Sequence, residues 1–286
     1  MKTIAIIIFL NSFHLFCKAQ VIDSAFARIF YIMNHKCDTL NKDSVYKENM
    51  ILLVGKNASI FSSYDKIKQA KNIKEQALEQ AKNRVDNNPI KYKVTGLTKI
   101  YTDEIFQHQA ERKRFIKEFL VRNYLYEEPL EEIDWNLTSE TKNFRKIITQ
   151  KATATYKGRQ WIAWFAPDIP FSTGPWKLHG LPGLIIEAYD KNREIEFLFS
   201  GFESVISSKS QSDIFSYDKS AIITLPKKVI TVSISEINKL KDSMYKNPKV
   251  FTLGQLLATG GFADDDNDML GMSYSKINNP IELPVK

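Results

Sequence analysis

One short stretch holds the residue types that most often do chemistry. Asp168, Ser172 and His179 are an acid, a hydroxyl and an imidazole, the set from which a nucleophile triad is made. Ser172 stands between Phe171 and Thr173, without the G-x-S-x-G elbow that presents a nucleophile on a strained turn, and no further residue orients the three. His35, His108 and His179 form no H-x-H or H-x-x-x-H pair, so local spacing supplies no zinc site, and no metal is expected. Asp264, Asp266 and Asp268 alternate like the start of a calcium loop, but Met269 stands where the loop needs glycine and Ser275 where it needs glutamate. Cys37 reads as a small buried residue rather than a nucleophile. With no phosphate-binding loop or dinucleotide fingerprint, no cofactor is expected.

Binding fits the same stretch better than catalysis. Pro167, Pro170, Pro175 and Pro182 stiffen the loop, and Trp164, Phe165, Phe171 and Trp176 can pack it against a sheet. Trp164 and Trp176 would then offer aromatic surface, with Asp168, Lys177 and His179 as polar contacts, since rigid loops on a sheet commonly carry binding residues. Gly180, Leu181, Pro182, Gly183, Leu184 and Ile185 read as scaffold: the glycines permit close approaches, Pro182 fixes the turn, and the aliphatic residues enter a strand.

The elements that must position this loop are mostly strands. Apolar and aromatic runs over 21–38, 49–54, 59–64, 92–101, 104–109 and 115–126 read as strands, and so do 146–156, 160–165, 183–190 and 194–200. Gly55-Lys56-Asn57, Lys157-Gly158 and Asp190-Lys191-Asn192 supply turns. Between them Ile67, Ala70, Ile73, Ala77 and Ala81 recur at helical spacing within 65–85, and Ser233 with Glu236 forms a capping box for a helix to about Tyr245. The tail beyond it reads as polar, and 204–220 as a serine-rich loop. The fold class expected is α+β, mainly β: a curved antiparallel sheet, half-barrel-like, with one or two packed helices. No repeat or linker divides residues 20–286, so a single domain is expected.

The first residues read as a signal peptide. Lys2 precedes an apolar run from Ile4 to Leu10, and Cys17-Lys18-Ala19 offers small residues for cleavage after Ala19. A bilayer anchor needs about 20 apolar residues, and Asn11, Ser12 and His14 interrupt the run. Lipidation at Cys17 is the competing reading, but Phe16 stands where a small residue belongs. Cleavage leaves Cys37 alone, so no internal disulfide can form and stability must come from the core. The net charge of +7 is spread: Lys66, Lys68, Lys71 and Lys74 interleave with Asp65, Glu75 and Glu79. That pattern serves solubility, not nucleic acid.

Residues 156–190 also carry a resemblance. Ala163-Trp164-Phe165, Gly174-Pro175-Trp176-Lys177 and Gly180-Leu181-Pro182-Gly183-Leu184-Ile185, with Lys151-Ala152-Thr153, Tyr156, Gly158 and Arg159 upstream, resemble the GLPGLI family of exported bacterial proteins. Gly55, Ser59 and Phe61 look like that family's N-terminal strand pair. The resemblance implies export and a β-rich fold; it brings no catalytic residues. Thr149 stands where relatives would show a cysteine, so no disulfide carries over. Function is therefore expected to be that of a periplasmic or secreted protein binding an apolar or peptide-like ligand or an outer-membrane partner. The rivals are an envelope hydrolase with its site near 167–182 and a structural accessory of an outer-membrane transporter.

Overall fold

Alternation in the first strand sets the two faces of the molecule. In β1 (Ile22–His35) Ala27, Ile29, Tyr31 and Met33 are buried on one face, while the residues between them are more accessible. The computed structural model describes residues 22–41, 43–82, 95–98, 100–205, 222–258 and 277–283. The expected signal peptide 1–19, the acidic knot 264–268 and most of the 204–220 loop lie outside the described residues.

After β1 come β2 (Tyr46–Gly55), β3 (Ala58–Ser63) and the helix α1 (Tyr64–Lys82). Then follow β4 (Glu104–His108), β5 (Lys113–Leu120), β6 (Arg122–Pro129), β7 (Asn136–Phe144), β8 (Ile147–Tyr156) and β9 (Arg159–Ala166). The chain continues through β10 (Leu184–Asp190), β11 (Ile195–Ser204), β12 (Ile222–Thr224) and β13 (Ile230–Thr231) to the helices α2 (Ile234–Lys246) and α3 (Pro248–Ala258). One large open sheet runs β13-β6-β5-β4-β3-β2-β1-β11-β10-β9-β8-β7, and β12 pairs with β1 outside that path. Every pairing is antiparallel except β13 with β6. The fold is thus α+β and mainly β, as expected.

Each face has its own cover. The outer face buries Ile51, Leu53, Ile60 and Phe106 under Tyr64 and Ile67 of α1 and Ile223 of β12. Tyr31, Leu52, Phe61, Trp161, Phe165 and Phe197 share the inner face with the loop between β9 and β10. Farther along the inner face, Ile116, Leu120, Tyr124 and Tyr126 receive Ile237 and Met244 of α2 and Phe251 of α3. Because both faces are covered, β2 is buried continuously from Met50 to Gly55 instead of alternating.

The structure corrects several expectations. The run 115–126 is two strands, since Val121 adopts a φ of 67° and reverses the chain. A β-branched residue gives no warning of such a turn. The described part of 92–101 is irregular: Thr95 and Thr98 donate their amides to Gln76 and Gln69 of α1, and Tyr101 donates its amide to Glu48. Side-chain acceptors replace a strand partner there. The tail is not wholly polar, because 248–258 form α3, giving three helices among the described residues rather than one or two. Strand β7, reading Asn-Leu-Thr-Ser-Glu-Thr-Lys-Asn-Phe, has no apolar periodicity to announce it; it is an exposed sheet edge, where polar residues discourage further pairing.

Candidate functional site

The loop 167–183 folds inward onto the sheet. Gly183 passes so close to the end of β9 that a Cβ there would lie 2.2 Å from the Ala166 carbonyl oxygen, which no side chain tolerates. Ile169 and Leu184 then close the mouth of the loop, Ile169 N bonding to Ala166 O at 3.1 Å and Leu184 N to Ile169 O at 3.0 Å. A loop buried in a core must find partners for its carbonyls. The sheet supplies them: Gln107 Nε2 donates to Trp176 O (3.2 Å), Arg114 Nη2 to Lys177 O (3.0 Å) and Tyr31 OH to Ile185 O (2.6 Å). Trp135 Nε1, just before β7, donates to His179 O at 2.8 Å.

Side chains of the loop complete the core. Trp176 lies with its centroid 5.5 Å from that of Trp161, and Trp161 stacks on Phe197 at 6.3 Å. Leu178, Leu181, Leu184 and Ile185 are fully enclosed. Gly180, with φ of 90°, and Gly183 make the bends, so Gly180 to Ile185 work as the hinge by which the loop enters the interior.

The five residues singled out for binding are dispersed. Trp164 is buried beside Tyr189 and Lys142, away from the inner-face residues that flank it in β9. Asp168 and Ser172 are exposed, whereas His179 is buried. Burial pushes the His179 imidazole down to about 4, with the Arg114 charge adding to it against the hydrogen bond to Lys177 O, so the ring is neutral. Trp176 and Lys177 alone of the five line the large cavity of the described structure.

That cavity, of about 540 Å³, lies on the inner face between β4, β5 and β6, the segment 100–103, α2 and the C-terminal residues 277–282. Met33, Ile105, Ile116, Leu120 and Met244 provide apolar wall. Two charged clusters face it. In the first, Lys177 Nζ donates to Glu128 at 2.9 and 3.0 Å and to Glu282 at 2.8 Å, with Arg114 and Lys157 behind. Burial alone would raise the Glu282 carboxyl; Lys177 and Lys157 hold it below its usual value. The positive charges here match the carboxylates.

The second cluster is different. Lys241 Nζ of α2 lies 2.6 Å from Glu118 Oε2 of β5, and Tyr126 OH of β6 donates to the same oxygen at 3.2 Å. Asp103 lines the cavity beside them. Burial first, then the Glu118 charge, pushes the Asp103 carboxyl up to about 7, with Lys241 opposing. Lys241 pairs with Glu118, and both Lys241 and Lys177 oppose the upward shift of Asp103. No local spacing could reveal this group, since it joins a loop, two strands and a distant helix. One signal was present: Glu118 interrupts the inner-face series Ile116, Glu118, Leu120.

The C-terminal segment is a wall of the cavity and is held by Arg159. Its guanidinium donates to Ile281 O (2.8 Å), Pro280 O (2.6 Å) and Asn279 Oδ1 (2.5 Å) while pairing with Asp190 (2.8 Å) and Glu194 (3.1 Å). Leu283 N bonds to Lys157 O and Asn279 N to Cys37 O. Among the described residues no group of three or more His, Cys, Asp or Glu is placed to hold a metal ion.

Residues 109–187 match the model of a family described as a protein of unknown function (Porph_ging), a span that contains Gly180 to Ile185. No protein of curated function matches the chain. Among solved structures it is similar to PNGF-II in a P21 crystal form, at 13% identity and a TM-score of 0.49 over 76% of this chain and 33% of that one. For PNGF-II in a C2 form the values are 14%, 0.48, 77% and 32%. The chain therefore spans about a third of the length of those proteins.

Proposed function

We propose that the protein is an exported binding protein, acting in the envelope or outside the cell, whose inner-face cavity takes a small amphipathic or peptide-like ligand. The observation that carries this reading is the cavity itself: about 540 Å³, enough for a small ligand, with an apolar wall and a few converging polar groups. Partner binding through the 167–182 loop is the weaker reading, because most of that loop is occupied in filling the core. A hydrolase centred there lacks exposed chemistry, since His179 is buried and neutral while Asp168 stands apart at the surface.

The test uses N-phenyl-1-naphthylamine, an uncharged probe that fluoresces in apolar surroundings. Saturable enhancement at one probe per chain is expected, and Met244→Trp, which fills the cavity from α2, should abolish it while leaving the circular dichroism spectrum intact. Equal enhancement with the folded variant, or none with the wild type, would overturn the reading.

A further inference from the structure

We propose that Lys177 marks a carboxylate subsite of this cavity, which the side chain of Glu282 occupies in the unliganded protein and from which a ligand's own carboxylate displaces it. The inference rests on the cavity-binding reading above and adds the ligand's chemistry to it: a carboxylate carried on an apolar body. Lys177 is 5% exposed and lines the cavity beside Trp176. Its two acidic partners hold it unequally. Glu128 of β6, with a side chain 14% exposed, accepts from Lys177 Nζ with both oxygens, at 2.9 and 3.0 Å. Glu282, with a side chain 43% exposed, accepts through one oxygen at 2.8 Å and has Lys157 Nζ 3.6 Å from the other. One carboxylate belongs to the sheet, and the other reaches in from the surface.

Glu282 can leave without moving the backbone. Its two neighbours have bonds of their own, Ile281 O accepting from Arg159 Nε at 2.8 Å and Leu283 N donating to Lys157 O at 3.0 Å. Release therefore needs only rotation of a side chain whose carboxylate already meets water, and an ion pair with so exposed a partner holds weakly. The exchange is one carboxylate for another, so Lys177 stays paired and no charge is left buried alone. Its ammonium, sheltered from water, gives the incoming carboxylate a charge-assisted hydrogen bond. From there Met33, Ile105, Ile116 and Leu120 provide wall for the apolar body. A fatty acid and a peptide with a free C-terminus share this chemistry.

Isothermal titration calorimetry of the full chain near neutral pH tests both sources, with octanoate against 1-octanol and N-acetyl-leucyl-leucine against its C-terminal amide. In at least one pair the acid should bind about tenfold more tightly than its neutral counterpart, the factor a hydrogen bond to a charged group supplies, and that pair identifies the apolar body. Glu282→Gln removes the internal competitor at a surface side chain, and should tighten that acid by about threefold while leaving the neutral compound unchanged. Acid and neutral compound binding alike in both pairs overturns the carboxylate subsite and leaves the cavity reading standing, whatever the variant does. Binding of none of the four overturns the cavity reading and the subsite with it. A preferred acid whose affinity is unchanged or weakened in folded Glu282→Gln refutes the exchange at Lys177.

Discussion

Replacing Arg159 by methionine removes a charge that two parts of the fold share. Arg159 and Asp190 are 4% and 3% exposed, so their ion pair, at 2.8 Å, is shielded from water. Asp190 keeps its bonds from the Glu194 and Ile195 amides but loses its cation. Breaking a buried pair from one side costs about 3–5 kcal/mol, because the remaining charge stays desolvated. The carbonyls of Pro280 and Ile281 and the amide oxygen of Asn279 lose charge-assisted bonds as well, but residues 277–283 can peel away to water and recover hydration. Two separable effects follow. Urea denaturation followed by tryptophan fluorescence should show a loss of about 3–5 kcal/mol, of which Arg159→Met with Asp190→Asn together should recover the larger part. Hydrogen exchange at the amides of Asn279 and Leu283 should accelerate in both variants, since the double substitution restores charge balance without restoring the anchor. A loss under about 1 kcal/mol, or unchanged protection of those amides, would refute the assignment of Arg159 as the clasp of the C-terminal wall.

Two further outcomes are expected. Gly183→Ala places a methyl group 2.2 Å from the Ala166 carbonyl oxygen and should cost about 2–4 kcal/mol, read as a lowered thermal midpoint; a midpoint unchanged within error would mean that β9 and β10 separate freely. His179 is neutral in the fold with its pKa depressed to about 4, so the unfolded chain takes up a proton there before the folded one does. Its contribution is complete above about 6.5 and is lost as pH falls from 6.5 toward 4, by roughly 2–4 kcal/mol. Asp103 has the opposite sign in an overlapping window, because its raised carboxyl binds a proton in the fold between about 4 and 7. The net slope of the wild type therefore understates His179, and the comparison that isolates it is the difference in acid slope between the wild type and His179→Gln. Identical slopes would show that the ring is not held neutral.

Where local signals agree with tertiary packing, the fold was legible. The capping box at Ser233 and Glu236 forms as its spacing implies, with Glu236 N bonding to Ser233 Oγ at 3.2 Å and Ser233 N to Glu236 Oε2 at 2.7 Å. Lys157-Gly158 turns with φ of 48° and 76°, fitting the two-residue hairpin that the dipeptide suggests. The failures came where a partner distant in sequence replaces a local signal. The segment before β4 carries apolar residues at strand spacing but bonds to side chains of α1, and β7 is held by the β8 edge without apolar alternation of its own. The loop's aromatic residues were legible as packing elements; which cavity Trp176 and Lys177 would line was not, because the other walls come from β5, β6, α2 and the C-terminal segment.

This division between motif and cavity has a physical reason. Gly180 to Ile185 are specified tightly because they bring a long loop into the interior, where every carbonyl needs a donor; Gln107, Arg114, Trp135 and Tyr31 are committed to that task. The loop covers the inner face from β9 and reaches β4, β5 and β6 through Trp176 and Lys177, while α2, α3 and the residues 277–283 cover the rest of the face over β5 and β6. A cavity persists at the seam between these covers. The partly buried pair of Lys241 and Glu118 there contributes less to stability than apolar packing would. The hexapeptide that makes the sequence recognisable is thus occupied in packing, and the open volume on which the cavity reading rests lies in the seam beside it.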